Sequence, residues 1–306
     1  MILSVSRRTD IPYYYSEWFI NRLKEGFVYV RNPMNYHQVS EIDLSKNNID
    51  CIVFWTKNAK NIIPKLNKLS EYNYYFQYTL TPYDNNIEKN LNKKDAFNNF
   101  IKLSKLIGKH KVILRYDPII ISENITKEYH YKKFNNLLKN LSKYTEKCII
   151  SFLDMYKKTK NNLKNTNIIK ISNNEKIEIV KSLKQISDKY NIKLESCCED
   201  LEIINNGKCV DDILISDILG FDIKVNKDKN QRSKCNCIES IDIGTYNTCK
   251  NNCIYCYSNY SYSSVIKNVK KHNKYSPLLI GEITKDDKIY IREVKSLRKK
   301  QMDFLD

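Results

Sequence analysis

Apolar positions along this 306-residue chain switch repeatedly between two spacings. Short runs at Ile2–Ser6, Cys51–Trp55, Tyr74–Leu80, Val112–Tyr116, Cys148–Leu153, Lys193–Ser196 and Ile238–Ile243 have the length and β-branched or aromatic content of strands. Between them, apolar residues recur every three or four positions. Tyr15, Trp18, Phe19 and Leu23 form one helical face that Gly26 ends, and Ile62, Ile63, Leu66 and Leu69 form another. Phe97, Phe100, Ile101, Leu103 and Ile107 run to Gly108, and Phe134, Leu137, Leu138 and Leu141 follow. Asn173 or Asn174 is the expected cap of a helix carrying Ile177, Val180, Leu183 and Ile186, and Asp211–Leu219 is a last helix stopped by Gly220. Phe27–Val30 reads as a short extra strand, and Asn226–Lys234 as a charged loop.

This alternation predicts an α/β fold with a parallel sheet and helical crossovers. Seven such units are enough for a full or nearly full parallel (β/α) barrel, with an open doubly wound sheet as the alternative. The expected organisation is a barrel over residues 1–264, including the late cysteine loop, and a C-terminal extension over 265–306 packed on or beside it. No apolar run is long enough to span a membrane, and the start of the chain does not read as a signal peptide, so a cytoplasmic protein is expected.

The strand ends turn polar on one parity. Ser4, Ser6, Arg8 and Asp10 share a face, as do Cys51, Val53, Trp55 and Lys57. So do Gln77, Thr79 and Thr81; Ile113, Arg115 and Asp117; and Glu195 and Cys197. A barrel interior built only for packing would carry Val, Ile or Leu there. Buried charges cost several kcal/mol unless paired, so a mutually satisfying set around a polar ligand is expected at the carboxyl ends of the strands.

Ten cysteines in a chain of this kind point to metal or redox chemistry rather than a disulfide framework. Cys249, Cys253 and Cys256 form C-x3-C-x2-C on a loop released by Gly244. Three soft thiolates suit three irons of a [4Fe–4S] cluster and leave one iron open to a ligand. A zinc knuckle would need a fourth ligand, and unligated thiols are the remaining alternative. Cys209, Cys235 and Cys237, with Cys197 or Cys198, form a second set able to hold another [4Fe–4S] cluster or an all-cysteine zinc ion. Cys51 and Cys148 read as core, and the four histidines are scattered.

The formal charge of +17 permits attraction to nucleic acid, although lysine is spread throughout and the densest block, Lys295–Lys300, falls on the tail. A zinc- or cluster-stabilised nucleic-acid-binding protein without turnover is therefore the competing expectation.

The segment Cys249–Cys256, with Tyr255 before its third cysteine, resembles the radical S-adenosylmethionine (SAM) motif. The resemblance implies a [4Fe–4S] cluster whose open iron holds SAM, reductive cleavage to a 5′-deoxyadenosyl radical, and an electron donor such as ferredoxin or flavodoxin. It also implies a (β/α) barrel whose cysteine loop normally follows the first strand. Here the loop follows the seventh, so the chain resembles a circular permutation. Phe54-Trp-Thr56-Lys57-Asn58 and Arg115-Tyr-Asp117-Pro118-Ile-Ile are similar to segments of the spore photoproduct lyase branch, which would imply a nucleotide or nucleic-acid substrate. The whole chain resembles an uncharacterised bacterial family beginning Ser-Val-Ser-Arg-Arg-Thr-Asp-Ile-Pro and ending in this cysteine loop. That resemblance favours Cys197 over Cys198 in the second set. The chain has no Gly-Gly-Glu segment, which holds the SAM amine in many radical SAM enzymes; Ser6–Thr9 or Thr56–Asn58 are expected to take that role. Arg8, Lys57, Arg115 and Asp117 are the expected catalytic and substrate-binding groups, with Ser6, Arg8, Thr56, Lys57 and Tyr255 on the cofactor.

Overall fold

The computed structural model describes residues 1–154, 159, 162–163, 166–199, 201–294 and 296–297. Its strands are β1 (Ile2–Val5), β2 (Phe27–Arg31), β3 (Gln38–Asp43), β4 (Cys51–Thr56), β5 (Tyr74–Thr79), β6 (Val112–Ile119), β7 (Ile121–Ser122), β8 (Lys147–Phe152), β9 (Ile168–Ile169), β10 (Lys193–Ser196), β11 (Ile241–Asp242) and β12 (Lys288–Ile291). The helices are α1 (Ile11–Tyr14), α2 (Ser16–Glu25), α3 (Lys93–Ile107), α4 (Lys127–Leu141), α5 (Asn173–Lys189), α6 (Asp212–Leu219) and α7 (Tyr262–Val269).

Local chemistry explains the ends of these helices. The Asn92 side chain accepts from the Asp95 amide to start α3, and Asp211 accepts from the Ile213 and Leu214 amides to start α6. The cap of α5 is Ser172 rather than Asn173 or Asn174, because Ser172 and Glu175 close a reciprocal capping box. Gly26 and Gly220 end α2 and α6 in the left-handed conformation. The 62–69 stripe forms a 3-10 helix, Ile63–Leu69, with Pro64 in its first turn removing a backbone donor.

Seven strands make one parallel sheet in the order β10-β8-β6-β5-β4-β1-β11. The last strand of this sheet in chain order, β11, therefore lies beside the first, with Leu3 opposite Ile241 and Ser4 opposite Asp242. Among the described residues no ladder joins β10 to β11, so hydrogen bonding does not close the sheet into the full or nearly full barrel expected from the sequence. The seventh strand is also shorter than Ile238–Ile243. Ile238 instead pairs antiparallel with Lys227.

One face of the sheet is packed by helices. Leu3, Val5, Phe54, Phe76, Leu114 and Ile150 meet Trp18 and Phe19 of α2, Phe100 of α3, Phe134 of α4 and Leu183 of α5. On the other face, Ile2, Val53, Tyr75, Ile113 and Ile149 pack against Val210, Ile215, Ile223 and Ile238. These residues lie in the amino-terminal halves of their strands, so the apolar cover stops short of the carboxyl ends. Cys51 and Cys148 are both fully buried in these clusters.

A separate three-stranded sheet, β12-β3-β2, flanks the main body. Residues 274–277 are fastened to it and to α2: Trp18 Nε1 donates to Ser276 O at 2.9 Å, and Tyr29 N to Pro277 O at 3.0 Å. Of the Lys295–Lys300 run, only residues 296 and 297 belong to the described residues. No helix among the described residues is long and apolar enough to cross a membrane.

Candidate active site

A cavity of about 420 Å³ opens at the carboxyl ends of the parallel strands. Ser6 and Arg8 reach it from β1, Thr56 and Lys57 from β4, and Arg115 and Asp117 from β6. Cys249, Cys253, Tyr255 and Cys256 form one wall. Cys197, Cys209, Cys235 and Cys237, together with Cys198, form another. The catalytic, cofactor-binding and metal candidates Ser6, Arg8, Thr56, Lys57, Arg115, Asp117, Tyr255 and the two cysteine sets thus line one cavity, with β11 delivering its loop next to β1, whereas Ser4, Asn58, Gln77 and Thr81 do not line it. Glu195 lies outside it, buried and paired with Lys147 at 3.2 Å and Lys193 at 2.7 Å.

Asp242 ties the cysteine loop to the first strand. Its carboxylate accepts from Ser4 Oγ at 3.0 Å, Ser6 Oγ at 2.6 Å, and the Arg7 and Gly244 amides at 2.9 Å each. Arg8 donates to Gly244 O at 3.2 Å. A Cβ on Gly244 would lie 2.0 Å from Ser6 Oγ and 2.6 Å from Ser6 Cβ, so only glycine lets the two strand ends approach this closely. Tyr15 OH donates to Thr248 O at 2.6 Å, Tyr14 OH to Asn251 Oδ1 at 2.8 Å, and Tyr257 OH to Arg7 O at 3.0 Å. Asn247 and Asn252 turn the loop in the left-handed region, which asparagine tolerates. Asn259 donates to Cys249 O at 2.8 Å, and the Cys256 amide to Cys253 O at 3.1 Å.

Two buried acids support the first cysteine wall. Asp10 caps α1 and accepts from Thr56 Oγ1 at 2.7 Å and from the Lys57 amide at 2.8 Å. Burial pushes its carboxyl up to about 6, against these hydrogen bonds. Glu88 is fully buried and forms an antiparallel bridge with Cys253. Its carboxylate takes Lys57 Nζ at 2.6 Å, Thr81 Oγ1 at 2.7 Å, the Tyr255 hydroxyl and the Lys93 ammonium. Tyr255 therefore points at Glu88. Lys57 also sits 5.6 Å from the Tyr255 ring centroid. Glu88 was not legible in the sequence, since it falls in an Asn- and Lys-rich stretch with no periodicity. Asp242 had a signal: it interrupts an isoleucine alternation immediately before the loop.

Arg115 organises the second wall. It donates to Cys209 Sγ at 2.6 Å and to Gln77 Oε1 at 3.4 Å, and it pairs with Asp117, which also accepts from Ser151. The Arg115 guanidinium and Ser151 hold the Asp117 carboxyl below its ordinary range despite burial. The guanidinium lies 5.3 Å from the Trp55 ring centroid, and that of Arg7 5.8 Å from it. Cys209 Sγ is 3.4 Å from Cys197 Sγ, and Cys197 Sγ is 4.0 Å from Cys198 Sγ. The Cys209 and Val210 amides point at Cys237 Sγ from 3.2 and 3.5 Å. The Cys209 and Cys235 thiols and these amides hold the Cys237 thiol well below its usual range.

Among the described residues, no three His, Cys, Asp or Glu close around a single metal ion. A four-iron cube holds its thiolates further apart than one ion does, and the sulfurs of Cys197, Cys198 and Cys209, 3.4 and 4.0 Å apart, leave both a zinc ion and a cluster open for the second set. Burial pushes the Cys249 and Cys253 thiols up to about 12, so both stay protonated unless a cation takes the sulfur. The donor set is soft and opens to the cavity, which fits an iron–sulfur group.

A family model described as "Domain of unknown function (DUF1848)" matches residues 2–258, and the chain belongs to that family. No curated protein and no solved structure matches it.

Proposed function

We propose that this DUF1848 member is a radical SAM enzyme on a circularly permuted, partly closed (β/α) barrel, acting on a polar substrate such as a nucleotide or nucleic acid. The observation carrying the reading is the convergence of the C-x3-C-x2-C loop and the charged strand ends on one cavity, with β11 lying beside β1. Cys249, Cys253 and Cys256 would hold the catalytic [4Fe–4S] cluster. Cys197, Cys209, Cys235 and Cys237 would hold an auxiliary cluster, with zinc as the alternative there. When bound, the cluster and SAM together supply a one-electron reductive cleavage that starts radical chemistry; the rest falls to the protein's own groups.

Lys57, held by Glu88 beside Cys253, presents an ammonium to the cavity for a carboxylate. Ser6, Thr56 and the backbone around them offer donors and acceptors for the SAM amine and carboxylate. Arg8 lies 5.0 Å from the Tyr246 ring centroid and has room to reach an anionic group. The Arg115–Asp117 pair offers both a donor fork and a carboxylate to a polar substrate, anchored by Ser151 and Gln77. Trp55, Phe152 and Leu153 line the same space and help exclude water from it.

A non-catalytic, metal-stabilised nucleic-acid-binding protein accounts for the positive charge but gives no role to the inward Arg115, Asp117 and Lys57. Iron and sulfide analysis after anaerobic reconstitution tests the proposal. Cluster content should fall on Cys249→Ala, Cys253→Ala and Cys256→Ala separately. Wild-type protein that takes up no iron would overturn it.

A further inference from the structure

The seam between β10 and β11, the two edge strands of the main sheet, carries no ladder among the described residues. Beside β10, Ser196 makes one parallel bridge to Asn206, and Gly207 N donates to Ser196 O at 2.7 Å. Asn206 reaches the next segment by side-chain bonds alone. Its Nδ2 donates to Lys234 O at 2.7 Å, and Asn236 Nδ2 donates to Asn206 O at 3.2 Å. Residues 234–238 then lead on to β11. Toward the amino-terminal ends of the strands, Val210, Ile215, Ile223 and Ile238 close the seam with apolar contacts. Toward the carboxyl ends, where the cavity opens, five thiols stand in that place.

The thiols come from all three segments. Cys197 and Cys198 directly follow β10, Cys209 follows the Asn206 bridge, and Cys235 and Cys237 precede β11. Cys197 Sγ lies 3.4 Å from Cys209 Sγ and 4.0 Å from Cys198 Sγ. The Cys235 thiol interacts with those of Cys198 and Cys237, and the Cys237 thiol with that of Cys209, which completes a ring of sulfur neighbours. Donors suited to thiolates surround the ring. The Cys209 and Val210 amides point at Cys237 Sγ from 3.2 and 3.5 Å, Arg115 donates to Cys209 Sγ at 2.6 Å, and Arg232 Nη2 lies 4.0 Å from Cys197 Sγ. Such groups serve a thiolate far better than a neutral thiol. Four thiolates around zinc, or around an oxidised [4Fe–4S] core, carry a net double negative charge, which Arg115 and Arg232 offset.

We propose that this second set is a metal clasp that fastens the β10 edge to the segment entering β11, in place of a strand ladder. It takes one thiophilic centre, a zinc ion or a [4Fe–4S] cluster, through Cys209, Cys235, Cys237 and one of Cys197 and Cys198. The inference rests on the reading that the second set binds metal, and it is independent of SAM. On binding, each thiol gives its proton to solvent as its sulfur bonds to the metal. The link is long in sequence, since Cys197 and Cys237 are 40 positions apart, so closing it removes much freedom from the open chain. Its consequence is the shape of the cavity. Residues 230–232 line the cavity and belong to the segment that the clasp holds, and Arg232 pairs with Asp154 beyond the end of β8. Both side chains of that pair are partly exposed, so by itself it holds the segment weakly. The metal fixes the wall that Gln231 and Arg232 present to a substrate.

The test uses the full-length chain carrying Cys249→Ala/Cys253→Ala/Cys256→Ala, so that bound metal belongs to the second set. Metal-free protein is loaded anaerobically with zinc alone or with iron and sulfide, then desalted. About one zinc, or about four irons with as many sulfides, should remain per chain in at least one arm, which identifies the centre. Trypsin then reads the seam. Lys229, Arg232 and Lys234 are exposed on the segment, and cleavage at them, followed by mass spectrometry, should slow on the order of tenfold or more in the loaded protein, because cleavage tracks the opened state. Cys209→Ser and Cys237→Ser, added singly, should abolish both retention and protection; should such a variant fail to fold, the loaded and metal-free forms of the parent chain decide. Retention of metal in neither arm overturns the clasp. Retention with unchanged cleavage at these three sites also overturns it, as does full retention by the Cys209→Ser and Cys237→Ser variants. Failure of the radical SAM reading shows separately, as wild-type protein that forms no 5′-deoxyadenosine, and leaves these outcomes untouched.

Discussion

Replacing Glu88 with glutamine isolates the electrostatic support of the first cysteine wall. The substitution keeps size and shape but removes the one negative charge shared by Lys57 and Lys93. Glu88 is fully buried, and the Lys57 and Lys93 side chains are only 14 % and 31 % exposed, so water compensates little for Lys57 and somewhat more for Lys93. Removing one partner of a buried pair costs about 3–5 kcal/mol. The partial exposure of Lys93 favours the lower end, about 3 kcal/mol, which corresponds to a fall in Tm of roughly 6–12 °C for a chain of this size class. Burial already pushes both lysines below their ordinary range. Without Glu88 they fall further, and the deficit relative to wild type is full below a lysine's pKa in the variant and fades as pH rises to its folded pKa in the wild type, which burial holds at about 7 for Lys93. The deficit should therefore be largest in acid and shrink as pH rises from about 6 to about 9. Differential scanning fluorimetry of both proteins across that range is the assay. A Tm within about 2 °C of wild type at pH 7, or a deficit that grows with pH, would refute the reasoning.

Gly244→Ala should destabilise by about 1–3 kcal/mol in urea unfolding and weaken iron retention, because its Cβ meets Ser6 at 2.0 Å; a variant of wild-type stability would show that the contact relaxes freely. His130 is buried between the Tyr116 hydroxyl at 2.8 Å and Ile120 O at 2.9 Å, and burial pushes its pKa below the usual value. The unfolded chain therefore binds the proton first, and wild-type stability drops as pH falls through about 6.5; the urea-midpoint gap between wild type and His130→Gln should narrow from pH 7.5 to pH 5.5, and widening would contradict this. Tyr15→Phe should cost about 1 kcal/mol by deleting the hydroxyl that donates to Thr248 O at 2.6 Å, read as a urea-midpoint shift at unchanged m-value; no shift would show that the bond adds nothing net.

The main sheet was legible because its strands are buried on both faces and bounded by clear punctuation. Parity was legible for the same reason: Arg115 and Asp117 cannot share a face with Leu114 and Tyr116 without a large desolvation cost, and the structure turns the former pair to the cavity and the latter to the helices. What escaped was sheet built from weak patterns. β3 reads Gln-Val-Ser-Glu-Ile-Asp, and β12 is a fully exposed edge strand, so neither offers a continuous apolar run. α7 begins in a Ser- and Tyr-rich stretch whose single buried residue is Val265, too little for a periodic signal. Glu88 was invisible because its role is tertiary: nothing near it in the chain announces that Cys253 will lie alongside. Closure of the full or nearly full barrel is what the sheet edges leave unshown: β11 is only two residues long, and no ladder joins it to β10 among the described residues.

In the proposed enzyme, three thiols of one loop leave an iron open to SAM at the mouth of the sheet. The most direct measurement of this is 5′-deoxyadenosine formed from SAM by the anaerobically reconstituted protein under dithionite. Wild type should form product and Cys253→Ala none at matched protein concentration. Wild-type protein that carries a full complement of iron and sulfide yet yields no 5′-deoxyadenosine would contradict it.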